Sequence, residues 1–158
     1  MRRALPWVGL MALVVGLDQL TKRWASTAFQ DEPLHVIPNV LEFTYGENTG
    51  AAWSMFTDGG SVLALVATVV VVLIVVALTR ERATFEAVAL ALIGGGAAGN
   101  LVDRVTRGPG LADGAVIDWI RFTFIDFPVF NIADTSITFA VVVLLVGVIR
   151  QPTSQHES

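Results

Sequence analysis

The chain has 158 residues, of which 54% are hydrophobic and only 15% are charged, and its net charge is -4. Soluble domains carry about 25% charged residues, so this composition indicates a membrane protein, and the acidic balance argues against a nucleic-acid-binding protein. Cysteine is absent, which excludes thiol chemistry. His35 and His156 are the only histidines, which leaves almost nothing from which to build a histidine-rich zinc site or a Ser-His-Asp triad. Any hydrolytic chemistry therefore falls mainly to carboxylates.

Four apolar stretches predict an all-α polytopic protein with membrane-spanning helices at residues 4–24, 61–79, 83–102 and 130–149. About 20 apolar residues are needed to cross a bilayer, and a bilayer favours helices because every backbone group must be paired within the segment. The first stretch follows Arg2 and Arg3 and has the outline of a cleaved signal peptide, but charged residues follow it without a small-residue cleavage site. We therefore expect a single integral membrane domain over residues 1–158.

The predicted helices leave two long loops, at residues 25–60 and 103–129, on the same side of the membrane. Alternating apolar residues predict a short strand at 40–45, and the segment 46–50 is typical of a turn. Long loops gathered on one side indicate that the protein functions there. The polar tail, residues 151–158, is expected to be disordered.

The basic residues do not decide the orientation by number, because they divide equally between the two sides. Arg2, Arg3, Arg80, Arg82 and Arg150 share the side of the termini, and Lys22, Arg23, Arg104, Arg107 and Arg121 share the other. If Lys22 and Arg104 are retained for structure or chemistry, the remaining charges favour cytoplasmic termini.

Polar residues collect where the predicted spans meet the long loops. Ionisable groups at membrane depth are costly and usually functional, although each also has a structural interpretation. Asp134 can complement a helix dipole with Asn131 as the N-cap, and Asp118 alone is compatible with a solvated loop carboxylate. Asp103 and Arg104 are interpreted as members of structural pairs, and the i,i+4 spacing of Asp18 and Lys22 predicts a pair on one helical face. Gly95 and Gly99 form a GxxxG pair, which allows close helix approach in lipid.

Five sequence motifs follow one another in chain order across nearly the whole length. They are DQLTK from Asp18, NTGAA from Asn48, GGAAGNLVDR from Gly95, VIDW from Val116 and FNIADTSI from Phe130. Together, interleaved with four apolar spans, they resemble the motifs of the bacterial lipoprotein signal peptidases (signal peptidase II).

The resemblance implies an aspartyl endopeptidase that removes signal peptides from prolipoproteins by cutting before a diacylglyceryl-modified cysteine. It implies that Asp118 and Asp134 are the catalytic pair, and it implies neither metal nor cofactor. The matched positions that would bind substrate or support the pair are Asn48, Gly50, Asn100, Asp103, Arg104 and Asn131, with Asp18 and Lys22 as structural residues. It further implies a small β-rich extracytoplasmic cradle in the first long loop, an active site at the outer face of the inner membrane, contact with membrane lipid, and inhibition by globomycin-type peptides.

The chain departs from the family pattern in two places. Trp53 and Trp119 stand where the family usually has phenylalanine, and the segment GPGLADG, residues 108–114, lengthens the loop before Asp118. The inserted Asp113 is therefore an alternative to Asp118 as the loop aspartate, although the flanking VIDW pattern favours Asp118.

Two other classes of protein remain as alternatives. A small transporter or proton-coupled carrier also buries Asp and Asn in a helix bundle, but it predicts polar residues near the midplane and internal repeats. A scaffold or assembly subunit does not require this set of Asp and Asn residues. Cleavage of a lipidated prolipoprotein by the purified protein distinguishes all three.

Overall fold

The computed structural model describes residues 4–50, 59–110 and 112–150. Several features considered above lie outside these ranges. They are Ala51 and Ala52 of the second motif, the departure at Trp53, Leu111 of the inserted segment, the residues Arg2, Arg3 and His156, and the tail 151–158.

The described residues form four helices and three strands. In chain order these are α1 Leu5–Ala28, β1 Leu34–Ile37, β2 Leu41–Asn48, α2 Gly59–Ala77, α3 Thr84–Thr106, β3 Val116–Phe122 and α4 Ile132–Ile149. The ends of α1 and α3 lie beyond the predicted bounds of 24 and 102, so Asp103 and Arg104 are helical rather than the start of a loop. The helical bond from Arg107 N–H to the Asp103 carbonyl, 2.9 Å long, closes this last turn.

Within the described residues, three helices are long and apolar enough to cross a bilayer, with candidate spans at Gly60–Ala77, Thr84–Thr106 and Ile132–Ile149. Helix α2 exposes large apolar side chains along its length, as expected where a helix faces lipid; examples are Val62, Leu65 and Leu73. The predicted first span, α1, is 24 residues long but does not meet the same criterion, because its C-terminal half carries Asp18, Lys22 and Arg23.

Helix α3 lies at the centre of the bundle and contacts the other three helices. Its glycines make this close packing possible. A Cβ at Gly95 would lie 2.7 Å from Cβ of Val14 on α1, and a Cβ at Gly96 would lie 2.5 Å from the carbonyl oxygen of Ala133 on α4. The close approach predicted from Gly95 and Gly99 is therefore present, and it brings Gly99 against the Asp18 carboxylate.

A three-stranded antiparallel sheet of order β1-β2-β3 lies beside the end of the bundle. The sequence predicted a β-rich segment in the first long loop only. The sheet also includes a third strand, which comes from the second long loop. Asn48 pairs with Val116 and Gly46 pairs with Asp118, which corrects the predicted turn at 46–50. Pairing with β3 extends β2 to Asn48, and the left-handed residue of this segment is Gly50, with φ 83°.

Aromatic rings fix the sheet to α1. Trp24 of α1 and Phe43 of β2 both pack edge-on against Trp119 of β3, with ring centroids 5.6 and 4.9 Å away. Phe29 completes this cluster at the end of α1. Because Trp119 directly follows Asp118, the cluster holds β3, and with it Asp118, in a fixed position relative to the helices.

Candidate active site

The residues of the five motifs come together where the sheet meets the helices. Asp118 lies on β3, Asp134 lies in the first turn of α4, and Asn131 is the residue that caps α4. Asn100 and Asp103 are contributed by α3, Asp18 and Lys22 by α1, and Asn48 by the end of β2. Three helices and two strands therefore contribute to one polar cluster, in which a hydrogen bond joins Asp18 to Ala133 across 115 positions of the chain.

Asn131 connects the two aspartates. Its side-chain oxygen accepts the Asp134 backbone N–H at 3.0 Å, and the Asp134 carboxylate accepts the Asn131 N–H at 3.2 Å, which together form a capping box. The side-chain nitrogen of Asn131 lies 2.7 Å from Oδ1 of Asp118. Asn131 is fully buried, so the predicted N-cap is present and the same side chain also orients the second carboxylate.

Asp118 is buried and accepts hydrogen bonds on both carboxylate oxygens. Asn131 donates to Oδ1, and Asn48 donates to Oδ2 at 3.0 Å. Asn48 is itself oriented by the Gly50 N–H, which donates to Oδ1 of Asn48 at 2.9 Å. Burial raises the pKa of Asp118 to about 6; hydrogen bonding from Asn48 opposes the shift, and the negative charge of Asp134 adds to it.

Asp134 is connected through Asn100 to a buried lysine. Asn100 donates to Oδ1 of Asp134 at 2.9 Å, and its own side-chain oxygen accepts from Lys22 Nζ at 2.8 Å. The amide of Asn100 is thereby held in one orientation, with its NH₂ group toward Asp134. The lysine sets this orientation, because an ammonium group can only donate and the amide oxygen of Asn100 must therefore face it.

Lys22 is fully buried between two carboxylates, Asp18 and Asp103, each 2.8 Å from Nζ. The pairing predicted from the i,i+4 spacing of Asp18 and Lys22 is present. The two carboxylates also bind the backbone near the catalytic candidates. Asp18 accepts the Ala133 N–H at 3.0 Å, and Asp103 accepts the Ile117 N–H at 3.3 Å. Each therefore holds the residue that precedes one of the two aspartates.

Two members of this network were not assigned a role from the sequence. Gln19 donates to Asp18, to Asp103 and to the Gly99 carbonyl, and Arg107 Nε lies 2.9 Å from Asp103. Arg107 was counted only among the basic residues of the loop side, although its i,i+4 spacing from Asp103 is the signal that could have identified it.

Asp103 and Arg104 were both interpreted as members of structural pairs, and this is confirmed for Asp103. Within the described ranges Asp103 pairs with Lys22 and Arg107, whereas Arg104 points in a different direction, as adjacent helical residues do. Arg104 is buried and donates through Nη1 to the Asn100 carbonyl at 3.2 Å, and among the described residues its Nε has no hydrogen-bond partner.

Two cavities adjoin the aspartates. A cleft of about 300 Å³ opens over Asp118, and its lining residues are Gly46, Glu47, Asn48, Thr49, Asp118, Pro128 and Val129. An apolar cavity of about 350 Å³ lies beside Asp134, lined by Phe122, Phe127, Phe130, Asp134, Thr135, Thr138, Phe139 and Val142. One side of the site is thus suited to peptide and the other to apolar groups.

The inserted Asp113 is placed differently from Asp118. It is exposed, and its carboxylate accepts the Gly110 N–H at 3.1 Å within its own turn. Asn48 and Asn131 contact Asp118 and not Asp113. Among the described residues, no group of three or more His, Asp or Glu side chains is arranged to hold a metal ion.

The fold and the site define a multi-pass membrane enzyme with two aspartates held together by a shared asparagine. The sequence profile described as signal peptidase (SPase) II matches residues 10–150. The chain belongs to the signal peptidase II family and is an aspartic peptidase.

Similar proteins support this assignment over almost the full length. The chain is 38% identical to the lipoprotein signal peptidase of Pseudomonas putida, with 96% of this chain and 91% of that protein covered. It is 36% identical to the lipoprotein signal peptidase of Nostoc sp., with 89% and 87% covered. A solved bacterial membrane enzyme, determined by the in meso method at 1.9 Å resolution, is 29% identical with a TM-score of 0.80, covering 93% of this chain and 94% of that one. These similarities give no support to the transporter alternative.

Proposed function

We propose that the chain removes signal peptides from prolipoproteins, with Asp118 and Asp134 as the catalytic pair. The observation that carries the catalytic assignment is the bridge through Asn131, which bonds to the side chain of one aspartate and caps the helix of the other. The substrate class is supported by the relatives, which are lipoprotein signal peptidases.

The raised pKa of Asp118 supports a division of roles within the pair. A pKa of about 6 favours Asp118 as the partner that carries the proton, while Asp134 acts as the ionised base. In this mechanism Asp134 takes a proton from water as the water oxygen attacks the scissile carbonyl carbon. Asp118 donates its proton to the carbonyl oxygen. Collapse of the tetrahedral intermediate breaks the C–N bond. The leaving amine takes the proton held by Asp134, and one hydroxyl of the intermediate returns a proton to Asp118.

The surrounding matched residues are proposed to position the pair and the substrate. Asn48, which is held by the Gly50 N–H, orients Oδ2 of Asp118, and Asn100 orients Asp134. Arg104 is proposed to bind a substrate carbonyl oxygen, since its Nε has no hydrogen-bond partner in the part of the chain that the structure describes and a guanidinium donates readily to oxygen acceptors. Asp103, Asp18 and Lys22 stabilise the junction of the helices and the sheet.

We propose that the whole chain forms one integral domain with α1 as a fourth span. Its buried charges support this, because Asp18 and Lys22 pair inside the bundle rather than facing hydrocarbon. On the loop side, Lys22 and Arg104 are buried, and Arg107 and Arg121 pair with carboxylates. The remaining basic residues therefore favour cytoplasmic termini and an active site at the extracytoplasmic face of the inner membrane.

The lipid on the substrate accounts for the apolar cavity beside Asp134. We propose that diacylglyceryl chains stay in the bilayer next to this cavity while the adjoining sheet forms a cradle for the peptide. The acyl chains and the scissile bond would then be held on opposite sides of the catalytic pair.

The test is cleavage of a diacylglyceryl prolipoprotein by the protein purified in detergent. We expect release of the signal peptide, inhibition by a globomycin-type peptide, and unchanged activity after treatment with a metal chelator. No cleavage of the lipidated substrate by folded protein would contradict the proposal, and chelator-sensitive cleavage would contradict the carboxylate mechanism.

A further inference from the structure

Glu47 lies at the rim of the cleft over Asp118. It is the residue before Asn48, whose side chain donates to Asp118, and it pairs with Ile117 across the sheet. The Tyr45 hydroxyl donates to Oε1 of Glu47 at 2.5 Å. The carboxylate is exposed and is therefore both held by a neighbour and accessible from the cleft.

The cleft has the size and the walls of a pocket for one side chain. Its volume of about 300 Å³ is at the lower end of the range for small-molecule sites, about 300–1,000 Å³. Pro128 and Val129 supply apolar surface, while Glu47 and Asp118 supply the only ionisable groups among its lining residues. An apolar wall with an acidic rim suits a side chain that has an aliphatic stem and a cationic end.

We propose that Glu47 is a specificity-determining residue that favours Lys or Arg at a substrate position flanking the scissile bond. This inference rests on the proposed function, because it requires that a peptide is cleaved at Asp118. Glu47 does not take part in proton transfer. It attracts the cationic end of one substrate side chain, and the apolar wall contacts the stem of that side chain.

The test is a comparison of diacylglyceryl prolipoprotein peptides that carry Lys, Gln or Glu at single positions on either side of the cleavage site, leaving the lipidated cysteine unchanged. For the wild-type protein we expect kcat/KM for the Lys peptide to exceed that for the Gln peptide at one position by about threefold to fivefold, as for a partly exposed ion pair. The preference should fall in high salt, since the pair is accessible to solvent ions.

Two variants and a control separate a charge effect from loss of structure. Glu47→Gln should remove the preference, so that the Lys and Gln peptides are cleaved with equal kcat/KM, and Glu47→Lys should reverse it in favour of the Glu peptide. Glu32→Gln changes an exposed glutamate that does not line the cleft and should leave the preference intact.

The possible failures are distinguishable. Wild-type protein that cleaves Lys, Gln and Glu peptides equally at every position would overturn the inference and leave the proposed function standing. A lysine preference that persists in Glu47→Gln would do the same. Absence of cleavage of every lipidated peptide would overturn both.

Discussion

The side-chain nitrogen of Asn131 lies 2.7 Å from Oδ1 of Asp118, and the side-chain oxygen of the same residue caps the helix that carries Asp134 in its first turn. One side-chain amide therefore positions both proposed catalytic residues, Asp118 through its carboxylate and Asp134 through its backbone N–H. It can do so because an amide has a donor end and an acceptor end, and each end meets a group of the complementary kind.

Asn131→Ser separates these two functions. Serine is a good N-cap but is too short to reach Asp118, Asn100 or the Ile117 carbonyl. We therefore expect the thermal unfolding temperature to fall less than in Asn131→Ala, which removes the cap as well. Activity should fall about 10²-fold, which is the effect expected from a small misplacement of a reacting group. Unfolding in detergent and kcat/KM on a prolipoprotein measure the two quantities. Near wild-type activity in Asn131→Ser would show that the contact with Asp118 is dispensable.

Asp118→Asn and Asp134→Asn should each abolish cleavage, with a loss of at least about 10³-fold, because an amide can neither donate a carboxylic proton nor act as the base. The matched control is Asp113→Asn in the inserted segment. Its amide oxygen can still accept the Gly110 N–H, so activity should remain close to wild type. Time courses of signal peptide release measure all three. If Asp113→Asn were folded but inactive and Asp118→Asn were active, the catalytic loop aspartate would be Asp113 and the assignment of Asp118 would be wrong.

The pH dependence of kcat/KM should show a decrease on the alkaline side with an apparent pKa near 6. The sign follows from burial, which raises the pKa of Asp118 from 3.8 to about 6, so that the pair keeps its single proton below that pH and loses it above. The apparent value belongs to the coupled pair rather than to one residue. A rate that rises through pH 6 would be incompatible with a protonated Asp118 in the active form.

Asn48→Ala should move this alkaline limb to higher pH. The Asn48 side chain donates to Oδ2 of Asp118 and stabilises the anion, so its removal favours the protonated form. Only the position of the limb tests this prediction, because the overall rate also reflects substrate positioning. Thr49→Ala changes a neighbouring cleft residue that donates no hydrogen bond to Asp118 in the described structure, and it should leave the limb in place.

Lys22→Met should destabilise the protein by about 3–5 kcal/mol, because it leaves Asp18 and Asp103 buried without their shared counter-charge. The double variant Lys22→Met with Asp18→Asn should recover part of the loss, since Asp103 keeps its pair with Arg107 while Asp18 loses the lysine with which it pairs. Thermal unfolding of each variant in the same detergent gives the comparison. Equal unfolding temperatures for wild type and Lys22→Met would mean that the buried network contributes little to stability.

The proposed orientation can be tested with single cysteines, because the natural chain has none. Arg80 and Asp126 are exposed at opposite ends of the bundle, between α2 and α3 and between β3 and α4. In intact cells, an impermeant thiol reagent should label Asp126→Cys and not Arg80→Cys, and permeabilised cells should allow labelling of both. Labelling of only Arg80→Cys in intact cells would show that the protein has the opposite orientation in the membrane.

The sequence by itself determined the class of the protein and the order of its motifs. Low charge, long apolar stretches and the absence of cysteine are properties of composition, and the periodicity of a helix depends on neighbouring residues. For the same local reason, the pair of Asp18 with Lys22 and the N-cap at Asn131 could be predicted from spacing of three or four residues.

Only the tertiary structure decided which polar groups meet. The pairing of β2 with β3, the contact of Asn48 with Asp118 and the hydrogen bond from Ala133 to Asp18 join residues far apart in the chain, and no local pattern fixes such distances. The catalytic candidates were singled out in the sequence by their resemblance to a family. Helix packing against the glycines of α3 buries these groups and brings them to hydrogen-bonding distance. The raised pKa of Asp118, the amide of Asn131 shared by the two aspartates and the contact of Asn100 with the buried Lys22 all depend on this packing.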